Sequence, residues 1–182
     1  MLKWSLAAIA AIVVVFLVVV AMQPADFKIE RSATMRAPAS AAFAQVNDFQ
    51  KWQGWSPWEK VDPALKRQYE GPKAGTGAVY AWQGNKDVGE GRMTITESKP
   101  AELVRIKLEF FKPFAATNAA QFSFKPAGQG GADASTLVTW TMSGQNNFLS
   151  KAMCMFVDMD KMVGGMFEQG LTQMKTVVER SS

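Results

Sequence analysis

The sequence predicts an α+β domain: an antiparallel sheet with one apolar face, covered by a long C-terminal helix and preceded by a single membrane-length helix. Three observations carry this prediction. Ser5–Met22 runs for 18 residues without a charge, close to the roughly 20 apolar residues that span a hydrocarbon core. From Lys66 to Ser143, six short runs alternate apolar and polar residues between turn signals. From Phe148 to Glu179, apolar side chains recur at helical spacing.

The N-terminal segment follows Lys3 and Trp4 and stops at Gln23-Pro24. Trp4 suits an interfacial anchor and Lys3 a cytoplasmic flank. A cleaved signal peptide is the competing reading. Val19-Val20-Ala21 resembles a small-x-small site, but no polar region separates it from the apolar run. An uncleaved anchor over residues 1–23, followed by one domain over residues 24–182, is the expectation. The amine and Lys3 favour an N-terminus inside, whereas Lys28, Arg31 and Arg36 pull the other way. We place the domain outside the cytoplasm.

Asp26–Arg36 puts Phe27, Ile29, Ala33 and Met35 on one parity, a strand pattern. Pro38-Ala39-Ser40 then opens a helix, since proline suits a first turn, with Phe43, Val46 and Phe49 as its stripe. Asn47-Asp48 and Gly54 interrupt that stripe, so a second short helix or turn carries Trp52, Trp55 and Trp58. These are three of the chain's six tryptophans. An indole wants a partner for its N–H when buried, so the segment either packs at a helix–strand junction or forms a pocket mouth.

The strand-like runs are Lys66–Gly71, Gly77–Gly84, Gly89–Glu97, Leu103–Phe111, Asn118–Lys125 and Thr136–Ser143. Val104, Ile106, Leu108 and Phe110 alternate with Arg105, Lys107 and Glu109, and Val138, Trp140 and Met142 with Thr139 and Thr141. One face is apolar and the other polar, as in an antiparallel sheet covered on one side. The Gly/Ala stretch Pro126–Ser135 reads as a loop between the last two runs.

Phe148–Glu179 reads as one helix with Leu149, Met153, Phe156, Val163, Phe167, Leu171, Met174 and Val178 on its apolar stripe. Gly164-Gly165 and Gly170 weaken it by about 1 kcal/mol each, which suggests close approach to the sheet. Six of eleven methionines lie here, either as core or as the lining of a cavity that takes varied apolar ligands.

Composition narrows the chemistry. There is no histidine and one cysteine, Cys154. Histidine-based triads, Cys–His dyads, histidine metal sites and a disulfide within these residues are excluded. The net charge of +4 is spread along the chain without a basic cluster, so nucleic acid is not an expected partner. Gly71–Tyr80 lacks the strand–loop–helix setting of a phosphate cradle. Glu90 and Arg92 form either a cavity pair or a solvated pair. Asp158 and Asp160 read as surface charge. Tyr80 and Trp82 share a parity, and if it faces a cavity Tyr80 is the best polar handle.

The element order, with "IERSATMRAPASAAFAQVNDFQKWQGWSPWEK" (Ile29–Lys60), "GAVYAWQGNKDVGEGRMTITES" (Gly77–Ser98) and "DKMVGGMFEQGLTQMK" (Asp160–Lys175), resembles the START-like superfamily, also called SRPBCC or helix-grip (birch-allergen-like) proteins. More narrowly it resembles bacterial polyketide cyclase/dehydrase-type members carrying an N-terminal membrane helix. The resemblance covers residues 26–180. It implies a curved sheet wrapped around the C-terminal helix, with a cavity between them walled by Trp55, Trp58, Tyr80, Trp82, Met142, Phe156, Val163 and Phe167. It leaves the reaction open, because the superfamily holds lipid carriers, cyclases, hydrolytic enzymes and co-chaperone activators. The expected function is a membrane-anchored module binding a hydrophobic or lipid-like molecule, with no cofactor and no metal. Its expected partners are that molecule and the membrane, through residues 5–22. The alternatives are a cyclase/dehydratase-like enzyme working through tyrosine or carboxylates, and a protein-interaction domain docking through Trp52–Trp58.

Overall fold

The computed structural model describes residues 2–128 and 134–180. Helix α1 (Leu2–Met22) leads into strand β1 (Asp26–Met35), helix α2 (Ala39–Val46) and two 3-10 turns (Phe49–Gly54 and Pro57–Lys60). Strands β2 (Lys66–Glu70), β3 (Val79–Gln83), β4 (Glu90–Lys99), β5 (Leu103–Lys112), β6 (Ala116–Pro126) and β7 (Thr136–Gln145) follow, then helices α3 (Phe148–Cys154) and α4 (Met159–Arg180). The described strands form one antiparallel sheet in the order β1-β7-β6-β5-β4-β3-β2. Residues 129–133, the centre of the expected Gly/Ala loop, lie outside the described residues.

The alternation in the sequence becomes the two faces of this sheet. Val104 and Ile106 of β5, Phe122 and Phe124 of β6, and Val138 and Trp140 of β7 are buried against α2 and α4. On the opposite face Arg105 bridges Glu97 at 2.6 Å and Lys107 bridges Glu109 at 2.6 Å. Glu90 and Arg92 lie on that outer face, paired with Lys112 and Glu70. Register shifts at Glu90/Gly91 and Ile95/Glu97 put bulges into β4, and bulges bend and twist a strand. At Gly91 a Cβ would collide with the Trp82 ring, so glycine lets that indole lie across the strand.

The C-terminal element is not one helix. It breaks over residues 155–158 because two side chains cap two separate helices. Asn147 accepts from the Ser150 N–H at 2.8 Å and starts α3. Asp158 accepts from the Lys161 N–H at 2.9 Å and starts α4. An N-cap carboxylate satisfies backbone donors that would otherwise lack partners. Leu149, Met153 and Phe156 are consequently exposed rather than part of the core stripe, whereas Phe167, Leu171, Met174 and Val178 of α4 are buried.

Helix α4 is fastened to β1 by a charged clamp. The Arg31 guanidinium bonds Asp160 Oδ2 at 2.7 Å, Oδ1 at 3.1 Å and the Asp160 carbonyl at 3.1 Å, and it reaches Glu168 at 2.8 Å. Gly164 lies against this guanidinium, where a Cβ would collide with it. Gly170 faces Trp140, and a Cβ there would sit 2.9 Å from Cζ3. Gly165 meets nothing within 4 Å, so close approach explains two of the three helical glycines.

Two predictions result. Gly165→Ala should stabilise the protein by about 1 kcal/mol through helix propensity. Gly170→Ala should cancel or reverse that gain, since overpacking costs about 1–3 kcal/mol. Urea midpoints of the full-length variants in detergent, at unchanged slope, measure both. The second concerns pH. Hydrogen bonds from Arg31, and then its charge, hold the Asp160 carboxyl below the ordinary aspartate range. A depressed carboxyl adds stability above its unfolded pKa of about 3.9 and loses it as pH falls through the folded value. The difference in melting temperature between wild type and Asp160→Asn should therefore be present at pH 6 and close as the pH drops below the carboxylate range.

Candidate functional site

The tryptophan segment owes its shape to the end of α2. The last carbonyls of a helix lack intrahelical partners. Here the Trp52 indole donates to the Val46 carbonyl at 3.0 Å and the Trp55 indole to the Gln45 carbonyl at 3.2 Å. Asp48 caps the first 3-10 turn by accepting from the Gln50 N–H at 3.0 Å. Trp52 and Trp55 are 4% and 0% exposed, and Trp58 is half-buried. Their rings gather on Trp140 of β7, with centroids at 6.1, 5.6 and 5.6 Å. Trp140 in turn stacks on Phe167 of α4 at 4.1 Å, the planes 7° apart.

Beside this cluster, α4 and the sheet separate enough to leave a cavity of about 220 Å³. Its walls are Trp82, Met93, Leu108, Phe110 and Met142 on the sheet, Val163 and Phe167 on α4, and Trp52 and Trp58 from the 3-10 turns. Of the residues expected from sequence, Trp58, Tyr80, Trp82, Met142, Val163 and Phe167 meet here. Trp55 does not line the cavity. It lies beneath it, fully buried between α2 and Phe122. Phe156 is elsewhere: it follows α3, is 78% exposed, and its ring faces Phe16 of α1 at 6.3 Å. Among the methionines, Met93 and Met142 of the sheet line the cavity, and those of the C-terminal helices do not.

Sequence reasoning missed Trp140 and Glu59. Trp140 lies on the apolar parity of β7, where sequence alone does not distinguish a cavity residue from core. Glu59 carried no signal, because a carboxylate in a short polar turn looks solvated until the tertiary fold covers it. Its side chain is 6% exposed. It accepts from the Tyr80 hydroxyl at 2.8 Å through Oε1, and from Arg67 Nη2 and Nε at 2.6 and 2.7 Å through Oε2. Burial, and then the bond to Glu59, push the Tyr80 phenol well above its ordinary range, while Glu59 raises the Arg67 guanidinium. Tyr80 is thus a fixed neutral donor. A carboxylate with both oxygens engaged and a phenol held protonated form a braced polar wall, poorly suited to moving protons.

One polar atom of a cavity-lining residue stands apart. The Trp140 indole N–H is buried without a partner, whereas those of Trp52, Trp55 and Trp82 all donate to carbonyls. Among the described residues no group of three or more His, Cys, Asp or Glu side chains could hold a metal.

Among curated proteins, none matches the chain. Solved structures share its architecture. A Thermobifida fusca protein determined by solution NMR superposes with a TM-score of 0.62 at 21% identity, covering 84% of this chain and 93% of that one. A Chromobacterium violaceum crystal structure gives 0.58 at 13% identity, covering 84% and 96%. A Nitrosospira multiformis protein gives 0.59 at 14%, also covering 84% and 96%. Such identities establish a common fold and nothing about ligands. A family model described as "Polyketide cyclase / dehydrase and lipid transport" matches residues 26–179, every strand and α4 nearly to its end. With its curved antiparallel sheet gripping α4, the chain belongs to the polyketide cyclase / dehydrase and lipid transport family.

Proposed function

We propose that this protein is a membrane-anchored binding module that holds one small apolar molecule bearing a single hydrogen-bond acceptor in the sheet–helix cavity. The observation that carries this is a mostly apolar cavity one of whose lining residues, Trp140, keeps a buried indole N–H without a partner, while the Tyr80 and Glu59 polar atoms in its wall bond to each other and to Arg67. A buried donor left unsatisfied costs about 1–3 kcal/mol, and a ligand acceptor would remove that cost. The cavity's 220 Å³ exceeds the apolar void of about 150 Å³ that admits benzene. It is smaller than the roughly 300–1,000 Å³ typical of drug-sized ligands. A ring or a single short chain fits; a two-chain lipid would have to leave most of itself outside. The 19 residues Trp4–Met22 are long and apolar enough to cross a membrane, which supports α1 as the anchor. We place the domain on the extracytoplasmic side.

The enzymatic alternative draws less support. A cyclase or dehydratase needs groups free to give or take a proton inside the cavity; Tyr80 and Glu59 spend their polar atoms on each other and on Arg67, and the other carboxylate in the wall, Asp87, is exposed to solvent. Docking through Trp52–Trp58 also draws less support, because Trp52 and Trp55 are buried and Trp58 is half-buried.

Native mass spectrometry of the full-length protein extracted from host membranes should show a co-purifying small apolar adduct. Preparations that are consistently empty and indifferent to added ligand would defeat the binding reading. The acceptor requirement has its own test. Emission from the cavity tryptophans reports titration with a medium-chain methyl ester and with the alkane of equal length. Trp140→Phe should weaken the ester by about 0.5–1.5 kcal/mol relative to the alkane, the value of one hydrogen bond. Equal effects on both ligands would remove Trp140 as the polar handle.

A further inference from the structure

The exposed apolar side chains of the domain are concentrated at one end. Strand pairing defines that end: Asp26 lies opposite Gln145, Asn118 opposite Gly144, Ala116 opposite Phe110, and Glu90 opposite Lys112. The start of β1, the β5–β6 hairpin and the entry to α3 therefore lie at the same end of the sheet. Helix α1 ends at Met22, four positions before β1 begins, so it emerges at this same end. Phe111 and Phe114 on the hairpin, Phe148 and Leu149 on α3, Phe156 after it and Met162 on α4 are all exposed. A clustered apolar surface of this kind marks an interaction site.

Its depth relative to α1 is set by two contacts. Lys151 of α3 donates to the Ala21 carbonyl at 3.4 Å, near the end of α1. The Phe156 ring faces Phe16, six residues before Met22. At 1.5 Å per residue that is about 9 Å back along the helix. If α1 spans a bilayer, Phe156 is drawn below the level where α1 leaves it, within the roughly 5–10 Å at which interfacial helices bury their apolar faces. Lys151, at the rim, has the reach to keep its ammonium among the headgroups.

We propose that this end of the domain docks on the bilayer that holds α1, with α3 lying in the interfacial plane and the Phe111–Phe114 hairpin tip beside it. The occupant is lipid rather than another protein because the patch adjoins the point where α1 exits and reaches alongside it. The inference rests on α1 being an uncleaved anchor. Docking would also bring the cavity close to the membrane, because Trp82, Phe110 and Met142 line it from the half of the sheet nearest this end.

The sole cysteine makes the test direct, since Cys154 is exposed on α3. Full-length protein carrying a fluorophore at Cys154 is reconstituted into phosphatidylcholine vesicles. The probe should be quenched by nitroxide-labelled lipid and shielded from aqueous iodide, as should a probe at Phe111→Cys in a Cys154→Ser background. A probe at Val13→Cys in that background reports α1 itself. Lipid contact at position 13 with aqueous exposure at both 154 and 111 would overturn docking while leaving the anchor intact. Aqueous exposure at all three would overturn the anchor, and docking with it. Phe156→Glu with Phe114→Glu should restore iodide access at Cys154 without changing the Val13→Cys signal. Continued lipid quenching at Cys154 in that variant would count against the patch as the docking element.

Discussion

The stack of Trp140 on Phe167 is the contact around which the rest of the domain is arranged. It joins β7, the strand next to the β1 edge, to α4 at a centroid distance of 4.1 Å, and that approach requires a residue without a side chain at Gly170. Aromatic pairs contribute about 0.5–1.5 kcal/mol beyond the area they bury. Their geometric consequence is larger. The Phe167 stack and the Arg31 clamp, which grips Asp160 and Glu168, together fix the N-terminal half of α4 against the sheet. The cavity lies along this stretch of the helix, with Val163 and Phe167 as its wall.

The tryptophans divide the labour around that opening. Trp52 and Trp55 terminate α2 and pack against Phe122. Trp58 and Trp82 wall the cavity, and Trp140 both stacks and presents an unpaired donor. Core packing and pocket formation are therefore one arrangement. Bulky rigid rings cannot fill every corner between a curved sheet and a straight helix, and the gap they leave inherits their apolar character. The polar wall of Tyr80, Glu59 and Arg67 is stable there because each member satisfies another, the condition under which buried charge is tolerated.

At the opposite extreme of polarity, the surface around the exit of α1 carries apolar groups that the core could have used. Splitting the C-terminal segment at Asp158 removes Leu149, Met153 and Phe156 from the buried stripe and leaves them beside α1. A continuous helix would have carried these residues along α4 and away from that position.

The sequence by itself determined the sheet faces, the strand succession and the core-facing half of α4, because two-residue and 3.6-residue periodicities follow directly from backbone geometry. The family was also legible, through the residues around Trp52–Trp58, Gly77–Ser98 and Asp160–Lys175. Three members of the expected cavity wall follow from parity: once β3 and β7 have one buried face, Tyr80, Trp82 and Met142 must lie on it. What only the tertiary structure decided depends on groups distant in the chain. Whether Glu59 is solvated or buried is set by Arg67 and Tyr80 arriving from β2 and β3. Whether the Trp140 indole finds a hydrogen-bond partner depends on which acceptors the assembled core brings to it. The break after Cys154 depends on Asp158 acting as a cap, and an aspartate three residues from a lysine looks the same in sequence whether it caps a helix or only faces solvent. Local patterns specify which face of an element is apolar; satisfaction of individual polar atoms is a property of the assembled fold.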